Sequence, residues 1–235
     1  MAVPTTATST STTGSTSTKV AAQTTAAVDD FFGASLGVTE DSWKAVALNV
    51  LANDPGSAKV VSLPAASASG AKLVINTDGT VGYVPTPESM AKFQHLAAGA
   101  TASDTFSYVI QMGNGKGALS TGLATLTIMG VNDSATIVGT NLQTIDEEAR
   151  STSGVVSVKD VDDGENVFAS ATSSLSGRYG SFSFDQGAWS FATNGEAQTL
   201  AAGASATETL TVQSKDGTAT QDIVVTITGV NDEAS

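Results

Sequence analysis

Apolar and polar residues alternate in short bursts along most of the chain, with turn-forming clusters between the bursts, and a helical period surfaces only once. The burst Ala45-Val46-Ala47-Leu48-Asn49-Val50-Leu51 predicts a strand that ends at the breaker cluster Asn53-Asp54-Pro55-Gly56. Residues 59–63 predict another strand, and 72–76 with 80–84 predict a hairpin about Thr77-Asp78-Gly79. The helical stretch follows. Thr86 is placed to cap it, Pro87 suits its first turn, and Met90, Phe93 and Leu96-Ala97 fall on one face. Further on, Val155 to Lys159 alternates as a strand, and 180–185 with 188–193 predict a hairpin at Gln186-Gly187. Pairs such as Phe182 with Phe184 and Leu210 with Val212 give each strand one apolar side. Many short strands with regular turn signals predict an all-β sandwich. Tyr83, Phe106, Tyr108, Phe182, Phe184, Trp189 and Phe191 fall in these patterns and are read as core.

One stretch occurs twice. Asp104 to Asp133 has an acidic residue, an alternating strand, the tip Gly113-Asn114-Gly115, a second strand and Gly-Val-Asn-Asp. Glu208 to Asp232 repeats that order about the tip Asp216-Gly217. Val28-Asp29-Asp30 echoes the two closing signatures, so Val28, Val131 and Val230 recur about 100 residues apart, the size of one β-sandwich module. The domain expectation is a Thr/Ser/Ala-rich disordered leader over 1–27, one sandwich over 28–131 and a second over 132–235. The leader has too little apolar bulk to offset its ordering entropy.

Composition narrows the chemistry. There is no cysteine and a single histidine, His95, which removes disulfides, thiol chemistry and the usual zinc and triad sites. The net charge is -13, which argues against nucleic acid and anionic membranes as partners. No apolar run has the length of a spanning helix, so membrane insertion is not expected, and the N-terminus lacks the basic and apolar regions of a Sec signal. No carboxylate pair is set in an apolar stretch that would raise the pKa of an acid catalyst, so an enzyme is not expected.

The acids recur at matching positions. They fall before the first strand (Glu40, Asp41; Asp146, Glu147, Glu148) and after the next (Asp54; Asp160, Asp162, Asp163). They also head the penultimate strand (Asp104; Glu208) and close each repeat (Asn132, Asp133; Asn231, Asp232). In a sandwich these are ends, where gathered carboxylates repel one another until a cation neutralises them. Calcium takes six to eight such oxygens, whereas magnesium keeps its waters. Turn chemistry accounts for Asp78, Asp216 and Asp54, but not for acids matched between the repeats.

The motif Val-x-Val-x-Asp-x-Asp, the acidic strand head, the DG or NG hairpin and the closing Gly-Val-Asn-Asp resemble bacterial cadherin-like domains. The segments LVINTDGTVGYVPTP and SFSFDQGAWSFAT resemble repeats of large exported adhesins. Two modules behind a short leader, without cysteine, also resemble the rhizobial adhering proteins. The resemblance implies two tandem Greek-key β-sandwiches with a Ca²⁺ site at the joint, held by Glu40, Asp104, Asn132, Asp133, Asp160 and Asp162. It implies a half-site of Glu147, Glu208, Asn231 and Asp232 at the far pole. It further implies a secreted, monomeric lectin or adhesin, exported by type I secretion, that binds acidic exopolysaccharide or capsule in adhesion and biofilm matrix. Trp43, at a polar turn, would stack on a sugar if exposed and would be a packing residue if half-buried. Arg150 and Arg178 are candidates for uronic carboxylates. The rival is a calcium-rigidified spacer of a larger adhesin with no glycan binding.

Overall fold

The computed structural model describes residues 26–231. The leader expected over 1–27 lies outside them except for its last two residues; Ala27 already donates its N–H to Ser120 Oγ at 2.9 Å. The described chain is all-β, as the alternation predicts, and its strands gather in two sets.

In the first set, β1 (Asp30–Phe32), β7 (Leu119–Met129), β6 (Thr101–Gln111) and β3 (Lys59–Ser62) form one sheet in that order. Strands β2 (Val46–Leu48), β5 (Val81–Val84) and β4 (Lys72–Ile75) form the facing sheet. Residues at alternate positions of β6 and β7 turn inward: Phe106, Tyr108 and Ile110 against Ala124, Leu126 and Ile128, all buried. With Leu48, Val50, Val81 and Tyr83 they make one continuous core. In the second set, β11 (Thr172–Ser176), β12 (Gly180–Asp185), β13 (Ala188–Thr193), β10 (Ser151–Lys159) and β8 (Thr136–Gly139) form a five-stranded sheet. It faces β14 (Ser205–Gln213), β15 (Thr220–Thr228) and β9 (Leu142–Asp146). Phe182, Phe184, Trp189, Phe191, Ile223, Val225 and Ile227 fill a separate core.

Both sets share a device. An early strand runs parallel to the last one: β1 along β7, and β9, the second strand of its set, along β15. The acidic segment after each early strand is thereby delivered to the same end as the last strand's exit. The long hairpins β6–β7 and β14–β15 run unbroken, with Asp104 across from Leu126 and Glu208 across from Val225.

Two glycines make room for aromatic rings within the sheets. Gly122 lies opposite Tyr108, and a Cβ there would sit 2.4 Å from the phenol; Gly154 lies opposite Trp189, and a Cβ there would sit 2.7 Å from the indole. Each is a strand glycine where only the absence of a side chain lets the neighbour lie flat.

The helix α1 (Pro87–Ala91) forms where the period predicts it. Thr86 Oγ1 accepts from Ser89 N–H at 3.1 Å and Ser89 Oγ accepts from Thr86 N–H at 2.9 Å, a reciprocal cap. Met90, Phe93 and Leu96 are buried and pin the segment to the sandwich, while the His95 side chain is exposed. In the second set the corresponding stretch is reduced to a turn of 3₁₀ helix, Ala197–Thr199.

Candidate metal centre

The link between the two strand sets passes through Val131, Asn132 and Asp133. Parallel pairing beside β7 brings Glu40 to this link. Its N–H donates to Met129 O at 3.2 Å, and its Oε1 accepts from Val131 N–H at 2.5 Å. Glu40 is only 1 % exposed, yet its Oε2 has no hydrogen-bond partner. From the other side, the loop after β10 supplies Asp160 and Asp162. Asp162 Oδ2 accepts from Asp133 N–H at 2.9 Å, and Asp160 Oδ1 accepts from Asp162 N–H at 2.9 Å. Asp162 is 2 % exposed and its Oδ1 is unpartnered. A backbone bond closes the joint: Asp163 N–H donates to His95 O at 2.9 Å.

The electrostatics follow from this crowding. Burial raises the pKa of Glu40 against the bond from Val131, with Asp41 and Asp133 adding to the rise. Burial likewise raises Asp133, and the charges of Asp41, Asp162 and Asp160 raise it further. Among the described residues the only salt bridge is the exposed Lys92–Glu88 pair, so no base in such a pair offsets these acids. Among the same residues, seven buried carboxylate oxygens accept no hydrogen bond, and five of them belong to this joint: Glu40 Oε2, Asp133 Oδ2, Asp160 Oδ2, Asp162 Oδ1 and Glu165 Oε2. Buried, unpaired anionic oxygens are costly unless something positive satisfies them. Their concentration at one place is what a cation site requires.

Two further acids enter the group. Asp160, Glu165 and Asp216 each offer an oxygen within 4.8 Å of the others. Asp216 sits at the β14–β15 tip, where Asn132 Nδ2 reaches it at 3.3 Å across the joint. Its pKa is held below the usual carboxylate range despite burial, by bonds from Ser214, Thr218 and Asn132. By sequence alone Asp216 is a turn residue, and Glu165 is not singled out. Asp216 does make a turn, accepting from the Thr218 hydroxyl, but the turn also faces the joint. No local signal separates this Asp-Gly tip from an ordinary one. Asp160 belongs to both groups.

The expected residues are therefore distributed unevenly. Glu40, Asn132, Asp133, Asp160 and Asp162 come together. Asp104 does not: it is 1 % exposed within the first sandwich, where Oδ2 accepts from Ser67, Ser69 and Tyr83 hydroxyls and Oδ1 from the N–H groups of Ser69 and Thr105. Its position in mid-strand β6 turns it inward, and five donors satisfy it without a metal. At the far pole, Glu147 repeats the setting of Glu40, accepting from Val230 N–H at 2.8 Å with Oε2 unpartnered. Asn231 follows directly in the chain, whereas Glu208 is tied to the turn before β12 by Tyr179 N–H at 2.8 Å. Asp232 lies outside the described residues.

Trp43 is 62 % exposed, so it is free of the core and stands two residues from Asp41. Arg150 occupies the corresponding place of the second repeat, three residues after Glu147. Arg178 lies over the Tyr179 ring at 5.0 Å; its carbonyl accepts from Asn194 Nδ2 just after β13, and that of Arg150 accepts from Thr193 N–H at the end of β13. The tryptophan thus belongs to the joint and the arginines to the far pole.

Facing sheets with an early strand parallel to the last one are the fold of cadherin-like, Ig-type β-sandwiches. Residues 20–127 match the family model described as bacterial Ig domain. Among solved structures the chain resembles the protocadherin gammaB7 EC3-6 cis dimer, at 15 % identity and TM-score 0.51 over 89 % of this chain and 48 % of that one. Drosophila N-cadherin EC1-4 aligns at 14 % identity and TM-score 0.41 over 87 % and 49 %. The chain spans about half the length of either, and the first likeness shows the fold. No curated protein sequence matches the chain.

Proposed function

We propose that this chain is an extracellular, calcium-dependent polysaccharide-binding protein of adhesin type, built of two tandem modules over 28–131 and 132–235 and stiffened at their joint by Ca²⁺. The observation that carries the proposal is the set of five buried, unpartnered carboxylate oxygens around the 131–133 link. Bound calcium would supply a divalent charge that accepts six to eight oxygens. Glu40, Asp133, Asp160 and Asp162 would hold one ion, and Asp160, Glu165 and Asp216 a second, with Asp160 shared.

The residues' own work is positional. Val131 N–H turns one oxygen of Glu40 to the backbone and leaves the other for the ion. Asp133 N–H does the same for Asp162. Because the ligands come from both sides of the link, the neutralised group ties the two sandwiches into a rod, and its loss leaves repelling acids at a hinge. Extracellular modules of this type bind calcium at about 10⁻⁴ to 10⁻³ M, so the joint would fill outside a cell and empty in the cytosol.

Surface location is supported by the bacterial Ig-domain match and the adhesin-like repeats. Among the described residues no helix is long and apolar enough to cross a membrane. The ligand would be an acidic exopolysaccharide or capsule, as in the rhizobial adhering proteins that the sequence resembles, with Trp43 stacking on a sugar and Arg150 and Arg178 meeting uronic carboxylates. Secretion would follow a type I route, and no catalytic step is assigned. The separation of Trp43 from the two arginines favours a second reading, a calcium-stiffened spacer without glycan binding.

Thermal unfolding in chelator, in Ca²⁺ and in Mg²⁺ tests the joint. A large rise in Tm with calcium alone is expected, and equal Tm in chelator and calcium would refute it. Binding of the calcium-loaded protein to an acidic exopolysaccharide, weakened by Trp43→Ala without a change in Tm, would separate the lectin from the spacer.

A further inference from the structure

The second sandwich is open along a flank that is closed in the first. In the first, β3 pairs with the outer edge of β6, Val60 opposite Ile110, and Ala68 N–H donates to Thr105 O at 2.8 Å further along. In the second, the strand at the same place in the chain order, β11, joins the opposite sheet beside β12, which leaves β14 as an edge. Among the described residues, the backbone over this edge is the loop before β11. Phe168 pairs with Ser214 there, and Ala169 N–H donates to Gln213 O at 2.9 Å.

Two cavities of about 270 and 260 Å³ adjoin that loop and share Phe168. One is walled by Val158 and Val167, with the polar side chains of Ser157, Asn166 and Gln186. The other reaches down to Phe184, Leu210 and Val212, with Ser173, Thr211 and Gln213 about it. The Phe168 ring meets that of Phe184 edge-on at 5.0 Å, which holds it in place. Neither lining contains a charged residue, in a chain that carries 23 acids.

We propose that the paired cavities are a glycan-binding site that takes two consecutive uncharged sugar residues of a polysaccharide, one on each side of Phe168. The proposal rests on the polysaccharide reading and locates its contact. Apolar walls suit the C–H faces of a sugar ring, and amides and hydroxyls suit its hydroxyl groups. A uronate would find no base in either lining. An added peptide strand fits less well. The Glu208 carboxylate crosses the flank to Tyr179 N–H at 2.8 Å, so only 209–212 of β14 lie free between it and the Gln213 contact, short of the usual strand of about 5–6 residues.

The loop that walls both cavities also carries a calcium ligand. Glu165, three residues before Phe168, belongs to the group with Asp160 and Asp216. Lys215, beside Asp216, ties the loop to the β14–β15 tip: its N–H donates to Val167 O at 2.9 Å and its Nζ to Gly164 O at 2.7 Å. An ion on Glu165 would hold this wall against the tip, and its removal leaves three acids that push the wall away. Sugar affinity therefore follows calcium.

The test is an NMR titration of the ¹⁵N-labelled full chain with cellobiose, maltose, lactose and glucuronate, each in Ca²⁺ and in chelator, with thermal unfolding of the same samples. In calcium a neutral disaccharide should shift the amides of 157–158, 166–171, 186 and 210–213, and glucuronate should not; chelator should abolish the shifts. Phe168→Ala should abolish them too. Asn166→Ala and Gln186→Gly change exposed residues, and glycine suits the φ of +46° at 186, so both should keep Tm. Each should weaken binding about two- to tenfold, the net worth of one hydrogen bond. A calcium-induced Tm rise with no disaccharide shifting these amides overturns the site and leaves the joint. Shifts confined to Trp43, Arg150 and Arg178 overturn the site and leave the polysaccharide reading. Shifts that persist in chelator overturn the coupling to calcium, and if Tm is also unchanged by calcium they refute the joint while the sugar site stands.

Discussion

Glu40 and Glu147 hold the same place in the two repeats: each accepts a backbone N–H from the residue after the closing Gly, Val131 at 2.5 Å and Val230 at 2.8 Å. Each keeps its second oxygen buried and unpartnered. Among the described residues only Glu40 has a further strand set beside it, and that difference makes the pair an internal control.

Glu40→Gln should weaken calcium binding at the joint about tenfold or more, since one charged ligand becomes a neutral one. In chelator the same change should leave Tm equal or higher, because Gln still accepts from Val131 and no longer repels Asp41 and Asp133. Glu147→Gln should leave joint affinity intact. Calorimetric titration of both variants checks the contrast; equal losses would mean the joint is not the principal site.

Asp216→Asn should reduce the number of calcium ions bound rather than abolish binding. Its oxygen belongs to the group with Asp160 and Glu165, while Glu40, Asp133 and Asp162 are untouched. Equilibrium dialysis with ⁴⁵Ca reads the stoichiometry, and an unchanged count would remove Asp216 from the ligands.

Asp104→Ala should behave as a stability mutation. Five donors point at this carboxylate from Ser67, Ser69, Tyr83 and Thr105, and truncation strands them in the interior. A loss of about 2–4 kcal/mol is expected, with calcium affinity preserved in the folded fraction. Urea unfolding in chelator measures the first and titration below the midpoint the second.

Low pH should stabilise the calcium-free protein. Burial, partly opposed by the Tyr108 hydroxyl and aided by Asp54 and Asp29, raises Asp30 to about 6 from 3.8. Glu40 and Asp133 are raised as well. The folded state thus binds protons that the unfolded chain has already released. The stability these groups contribute is complete below their ordinary values, near 4, and is lost as pH rises through about 6 for Asp30. In chelator, Tm near pH 5 should exceed Tm near pH 7.5 by roughly 5 °C, equivalent to about 1 kcal/mol. Asp30→Asn should flatten part of that slope, and calcium should flatten the part due to Glu40 and Asp133. A Tm that rises with pH over this interval would contradict the raised values.

Most strands, their apolar faces and the capped helix α1 were legible in the chain itself, because alternation, turn residues and the Thr86-Pro87 start are local signals; the short strands β1, β8, β9 and β11 were not, because they carry little alternation and are fixed by pairing with distant partners. Phe182 and Phe184, or Leu210 and Val212, declare their face by spacing of two. The repeat also made Glu40, Asp133, Asp160 and Asp162 visible as candidates, since acids at matching positions of two modules exceed what turns need. Which acids meet was a matter of tertiary structure. Asp104 and Glu40 look alike in sequence, but the register of β6 turns Asp104 inward onto three hydroxyls, while parallel pairing beside β7 carries Glu40 to the link. Glu165 and Asp216, about 50 residues apart, become neighbours of Asp160 only when the β14–β15 tip folds over the loop after β10. Sequence determined most strands and their faces because periodicity acts between near neighbours; only the fold decided the site, because pairing across sheets brings together residues whose separation along the chain carries no signal.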